Sequence, residues 1–409
     1  MKLKLLLLTL FVFQLNFAQD RTCGLEAKMQ EMLFNPLLKQ QHEAQLQKSQ
    51  SELLRLENSK MASPNATYNI PVAVHFPTGS NFNRTCLVAL AQSQLDILNA
   101  DYNALNADLS TWNNTTGSYF PTVVPGVINV QFVLATQNHP SGFDPNLVNG
   151  QPCVTIGYNF SAQSDWNSNW AGYLNIVVDV LGGGTLGYAY LASSPANGAA
   201  VYIDKNSFGS GTGCGTISPQ GPYNLGRTLT HELGHYMNLN HIWGDSNCGN
   251  DQVADTPQHN TANFNCPAIS HLSTCIGTPR ELTMNYMDYV NDACMYMFTA
   301  GQAQRSVAHL NTIYSSFNQN TLATNTVVKN DFAIYPNPNN GTFEIQLVEL
   351  ADDFTIQVYD NAGRIVYTKV NTQTNSLTQT VNLENISSGI YLVSLKNSKG
   401  TTTRKIVIQ

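Results

Sequence analysis

Hydrophobic positions fall into three regimes along the chain. From Leu25 to Lys60, and most clearly in "LLKQQHEAQLQKSQSELLRLENSK", apolar residues recur at helical spacing without a glycine, which predicts helix. "ASPN" then punctuates, and the strand "YNIPVAVHF" begins at Tyr68. In the middle, "INVQFVLAT" and "YLNIVVDVL" read as further strands. "LVALAQSQLDILNADYNAL", "YNLGRTLTHELGHYMNL" and "TAGQAQRSVAHLNTIYSSF" read as helices. Roughly sixty residues of Gly, Asn, Pro and Cys lie between the last two and predict irregular structure. From Phe332 onward short segments alternate apolar and polar: "TFEIQLVEL", "FTIQVYD", "RIVYTKV", "IYLVSLK" and "TRKIVIQ". That spacing predicts a small β-sandwich after an α+β body.

The extreme N-terminus follows another pattern. Lys2 and Lys4 precede an apolar run from Leu5 to Phe13, and Ala18 is small enough to precede a cleavage point. Residues 1–18 read as a secretory signal peptide, too short for a membrane span. No other run approaches the length of a span, so no transmembrane anchor is expected. Export permits disulfides among the eight cysteines. Charged residues are only 11% and the net charge is −7, without a basic patch, so nucleic acid is not an expected partner.

Residues 19–60 are expected to be a propeptide or spacer, the rival being an N-terminal helix of the following domain. That domain is assigned to 61–318, a linker to 319–331, and the sandwich to 332–409.

The stretch "HELGHYMNLNH" concentrates three of the nine histidines and a glutamate. His231 and His235 are four apart and share one face of a helix, so both can point at one ion. Glu232 can reach a water on that ion. A catalytic zinc site needs a third protein ligand. His241 supplies it only if the helix ends and the chain turns, and Asn238 sits where left-handed backbone is needed.

"HELGHYMNLNHIWGD" resembles the extended zinc motif of the metzincin metallopeptidases, and "MNYMDY" resembles their Met-turn. With "YNIPVAVHF" upstream, the chain most resembles the pappalysin group over about Asn65 to Phe317. The resemblance implies a mixed twisted sheet with backing and active-site helices above an irregular, disulfide-stapled lower subdomain. It implies that His231, His235 and His241 bind zinc and that Glu232 is the general base. Met287 would lie beneath the histidines, and Tyr289 would stabilise the oxyanion. Asn238 departs from the family, which usually has Gly there.

Family pattern also implies the disulfides Cys248–Cys275 and Cys266–Cys294, where spacing alone allows three connectivities. Cys153 and Cys214 are available to pair, leaving Cys86 without an obvious partner. Asp251 and Thr256, in "CGNDQVADTP", are candidates for calcium, with two solvated aspartates as the rival reading. Asp292, five residues after Met287, is a candidate for selecting a basic residue just after the scissile bond. "RTCG" resembles a cysteine switch in which Cys23 occupies the zinc of a latent proform, Arg21 holds the segment and Gly24 lets it pass close; the rival is a Cys23–Cys86 disulfide. Arg55 and Lys60 mark the expected neighbourhood of propeptide cleavage.

The tail motifs "YPNPNNG", "VYDNAGRIV" and "SSGIYLVSL" resemble the sorting domain of type IX secretion, whose machinery is then an expected partner. A carbohydrate-binding sandwich is the rival, and the segment has no Trp to stack on a sugar. Together these features imply a secreted zinc endopeptidase acting on protein or peptide substrates. A non-enzymatic surface adhesin with structural zinc, and an astacin-like metzincin, are the alternatives.

Overall fold

The computed structural model describes residues 21–59, 67–78, 83–162, 165–321, 332–347, 353–360, 363–372, 376–383, 386–397 and 400–409. The expected signal peptide, Lys60 and most of the expected linker lie outside these residues. The chain divides into two compact units, Met1–Leu322 and Ala323–Gln409.

The first unit opens with β1 (Thr22–Cys23), α1 (Leu25–Leu33) and α2 (Pro36–Ser59). The helical lead-in breaks at Asn35, whose side chain accepts the Leu37 N–H at 3.0 Å and so starts α2 immediately before Pro36. Next come β2 (Tyr68–Phe76), α3 (Arg84–Tyr102), α4 (Leu109–Asn114), β3 (Val130–Leu134) and β4 (Val154–Ile156). They are followed by β5 (Leu174–Asp179), β6 (Thr185–Tyr188), β7 (Ala200–Asp204), α5 (Arg227–Tyr236) and α6 (Ala300–Ile313). Asn83 caps α3 through the Thr85 N–H, and Thr299 with Gln302 forms a capping box on α6.

The strands form one sheet in the order β1-β6-β7-β5-β2-β3, with β4 also on β2. All pairs are parallel except β6 with β7. Along β2, Val72 and Val74 enter the core shared with α3, α5 and α6, while Ala73 faces a second core around Trp170, Val177 and Tyr202. Alternation with both faces covered is what a helix-backed, largely parallel sheet requires. Strands β4, β6 and β7 and helix α4 were not among the predicted elements. β6 is four residues long and follows three glycines, too short for a periodic signal.

The N-terminal helices pack onto this body. The Gln45 amide donates to Thr312 Oγ1 at 2.7 Å, Ser49 Oγ lies 2.9 Å from His309 Nδ1, and Asn311 donates to Glu52 at 2.7 Å.

Three disulfides join Cys86–Cys214, Cys248–Cys275 and Cys266–Cys294. The Cys153–Cys214 pairing is corrected. Cys153 lies in the core on one face of the sheet and Cys214 in the core on the other, so the strands separate them. Among the described residues Cys23 and Cys153 are free, and Cys86 is therefore not the partner of Cys23.

The second unit contains β8 (Phe332–Tyr335), β9 (Thr342–Leu347), β10 (Asp353–Tyr359), β11 (Ile365–Thr372), β12 (Thr378–Asn382), β13 (Gly389–Asn397) and β14 (Gly400–Ile408). They make two antiparallel sheets, β11-β10-β13-β14 and β12-β9-β8. A common core includes Phe343, Ile345, Ile356, Val358, Val393 and Ile406.

Candidate metal centre

Helix α5 begins after Gly226, held at φ 76°, and every one of its residues is buried. His231 and His235 project from one face, with their Nε2 atoms 3.1 Å apart. The helix then stops. Asn238 adopts φ 71°, and the Leu239 N–H turns back to the Gly234 carbonyl at 2.9 Å. This reversal brings His241 Nε2 to 3.1 Å from His235 Nε2. Arg305 of α6 secures the turn, its Nε donating to the Asn238 carbonyl at 2.6 Å.

Each imidazole is oriented through its other nitrogen. His231 Nδ1 donates to the Tyr286 carbonyl and His235 Nδ1 to the Leu239 carbonyl, both at 2.7 Å. His241 Nδ1 pairs with the Asp245 carboxylate. With Nδ1 protonated, three unprotonated Nε2 lone pairs converge, an arrangement that repels itself unless a cation lies between them. Burial and then neighbouring histidines push the pKa of His231 and of His235 well down, keeping both neutral. The donor set fits zinc, for which imidazole is a favoured ligand.

Cys23 Sγ joins the histidines, all four ligand atoms lying within 4.8 Å of one another. The thiol also donates to Glu232 Oε2 at 3.2 Å. Burial and the Glu232 charge push the Cys23 pKa well up, so the thiolate needs a cation's field. Glu232 itself is raised by burial to about 8. The Tyr289 hydroxyl lies 3.2 Å from His241 Nε2 and accepts the Cys23 N–H at 3.4 Å. Met287 is fully buried against Gly234.

Asp292 is buried. It pairs with the Arg21 guanidinium and accepts the backbone N–H groups of Leu225 at 2.8 Å and Arg227 at 3.2 Å. Arg21 also lies over the Tyr223 ring, 5.0 Å from its centroid. β1 runs beside β6, with Cys23 opposite Gly187, so Arg21, Cys23 and the histidines line one groove.

Asp251 and Thr256 meet elsewhere. The Thr256 hydroxyl lies 2.9 Å from both Asp251 oxygens, and the Val253 N–H donates to one of them at 3.1 Å. Burial raises the Asp251 pKa to about 6. Asp251 is in neither of the clusters of three or more ligating side chains found among the described residues.

Two supporting residues escaped the sequence reading. Asp245 has a local signal, lying four residues after His241 in "HIWGD". Arg305 has none, because its partner is 67 positions away.

Comparison with known proteins agrees with this geometry. The family model described as "Pregnancy-associated plasma protein-A" matches residues 160–311, and the secretion system C-terminal sorting domain matches 333–409. An extracellular metalloprotease of Coccidioides posadasii is 38% identical over 130 residues, covering 30% of this chain and 44% of the relative. One from Uncinocarpus reesii is 34% identical over 196 residues, covering 46% and 65%. The chain thus spans less than half of the first relative and about two thirds of the second. Mature mirolysin of Tannerella forsythia, solved with a cleaved peptide, is 32% identical, covering 63% of this chain and 99% of that one, with a TM-score of 0.50. A promirolysin mutant of the same organism is 31% identical, covering 72% and 95%, with a TM-score of 0.54. The sorting domain marks an extracellular protein secreted across the outer membrane. The chain belongs to the pappalysin family of metalloproteases, is mirolysin-like, and ends in a type IX secretion sorting domain.

Proposed function

We propose that this protein is a secreted zinc endopeptidase made as a latent proform, with residues 19–60 as prosegment, 61–318 as catalytic domain, 319–331 as linker and 332–409 as the export domain. The observation that carries the reading is the convergence of three oriented Nε2 atoms and one thiol beside a buried glutamate. His231, His235 and His241 would hold zinc, and Cys23 would fill its remaining position until the prosegment leaves. Zinc bound there supplies a Lewis acid for the peptide carbonyl and makes water acidic enough to attack near neutral pH.

The protein's own groups do the rest. Glu232 takes a proton from the attacking water and delivers it to the leaving amine. Tyr289 donates its hydroxyl to the oxygen that gains charge; burial holds its pKa up, so the proton stays available. Asp292, freed of Arg21, offers its carboxylate to a basic side chain just after the scissile bond. Mature mirolysin is known with a cleaved peptide, which supports peptides as the substrate class. Self-processing at Arg55 would require α2 to unwind, because that residue lies within the helix and is bonded to Glu52. Calcium at Asp251 and Thr256 belongs to the same reading, since a bound cation would relieve the raised pKa of that carboxylate.

Glu232→Ala tests the assignment against a structural-zinc adhesin. We expect it to retain one zinc per chain by elemental analysis, which also reads calcium, and to lose nearly all peptide cleavage, as chelation does to the parent. Cleavage at the parental rate by this variant would refute the role given to Glu232.

A further inference from the structure

The N-terminal segment delivers a second cation to a second pocket. One turn into α1, Lys28 reaches back toward the catalytic body. Its Nζ lies 2.9 Å from Asp165 Oδ2 and 4.9 Å from the centroid of the Tyr188 ring. The pocket is built from the body's own residues. The Tyr188 hydroxyl donates to Asp165 Oδ1 at 3.1 Å, and the Tyr190 hydroxyl donates to Oδ2 at 2.8 Å. The Asp165 side chain is 13% exposed, and both tyrosines are buried. Tyr188 stacks on Tyr202 with centroids 4.6 Å apart, and Trp166 packs on Tyr190 at 4.5 Å, so the walls are fixed. Burial, and then the Asp165 charge, raises the pKa of both tyrosines, which keeps them as donors. Burial opposes the Lys28 charge, but Asp165, together with Glu31 of the same helix 3.4 Å from Nζ, outweighs it. The reaction described above uses none of these groups.

Position along the groove gives the pocket a use. Arg21 fills the Asp292 pocket, Cys23 sits at the histidines, and Lys28 lies beyond. The segment runs parallel to β6, and the Gly24 N–H donates to the Gly187 carbonyl at 2.9 Å. A substrate with its scissile carbonyl at the histidines and its following residue in the Asp292 pocket must lead its preceding residues past Tyr188. It therefore runs opposite to the prosegment. One helical turn of about 5.4 Å plus a lysine side chain corresponds to about two to four extended residues at about 3.3 Å each.

We infer that Asp165, Tyr188 and Tyr190 form a second specificity site, taking a lysine or arginine of a polypeptide substrate about two to four residues before the scissile bond. Lys28 occupies it in the proform and leaves with the prosegment. The inference rests on the proteolytic reading.

The test uses the protein processed from the full chain. Peptides carry Arg just after the bond and Lys, Arg, Gln or Glu at each of the four preceding positions. At one of the second to fourth positions, Lys or Arg should raise kcat/KM about tenfold over Gln, with Glu below Gln and the advantage shrinking in salt. Asp165→Asn keeps a partner for each hydroxyl and should bring that ratio toward one, while the preference for Arg after the bond persists. A flat profile in the parent overturns the inference whether or not the variant folds, and so does an unchanged ratio in the variant. Failure to cleave any peptide would instead overturn the proteolytic reading, and this inference with it.

Discussion

Gly234 stands between the two histidines of α5, where a helix ordinarily prefers a side chain. Alanine there would gain about 1 kcal/mol in helix propensity. A Cβ, however, would fall within the radius of the Met287 sulfur, and Met287 is fully buried, so the core must repack to admit it. Overpacking of this kind costs about 1–3 kcal/mol, so the clash outweighs the propensity. Gly234→Ala should therefore lower unfolding free energy by up to about 2 kcal/mol in urea titration, and it should weaken zinc binding by tilting His231 and His235. Unchanged stability would show that Met287 can move aside. The histidine cluster was legible because helical spacing fixes it: four positions put His231 and His235 on one face, and Asn238 stands where the reversal needs it. Legibility ended at residues that act across long separations, such as Arg305 on Asn238 and Tyr190 on Asp165.

At the scale of elements, helices announce themselves through long periodic runs, and α2, α3 and α6 were readable for that reason. β6 was not, although it borders the cleft, because four residues after a glycine run carry no period. β8 and β12 were missed likewise, as strands of four and five residues. The α2–α6 interface was invisible for another reason: it depends on which helix meets which. It places His309 between Ser49 of α2 and the Ser193 carbonyl, 2.7 Å from Nε2. Burial lowers the His309 pKa to about 4, with Arg305 and His42 adding to the effect and the Ser193 carbonyl opposing it. Unfolded histidine titrates near 6.5. Above that pH both states are neutral and the stability is complete. As pH falls from about 6.5 toward 4, the unfolded chain takes the proton first, and stability is lost on the order of 3 kcal/mol. His75, lowered by burial to about 3, adds a loss of the same sign. Unfolding of the proform at pH 7 and pH 4.5 should show this fall, and His309→Gln should remove part of it. An identical pH dependence in the variant would mean that His309 is protonated in the folded chain already.

For the molecule as a whole, latency is a matter of how many places hold the N-terminal segment. Arg21 pairs with Asp292, Cys23 meets the histidines, Lys28 pairs with Asp165, and α2 lies on α6. On the proposed reading the second of these would deny water the ligand position, and the others would raise the local concentration of the thiol there while covering the proposed substrate pockets. Cys86 is bonded to Cys214, so the thiol of Cys23 is not diverted into that bridge. Removing Cys23 should therefore free Glu232 and the ligand position for water while the segment still lies along β6. The segment runs parallel to β6, opposite to the direction proposed for a substrate, so it is itself a poor target where it lies. On the proposed reading, cleavage near Arg55 or Lys60 would then occur in a neighbouring molecule or after partial release. Cys23→Ala should consequently process itself sooner than the parent but show less than full activity until the segment is cut. Processing time courses, with Cys23→Ala/Glu232→Ala as the control that reports foreign proteolysis, measure this. A Cys23→Ala proform as latent as the parent would assign latency to the Arg21, Lys28 and α2 contacts rather than to the thiol.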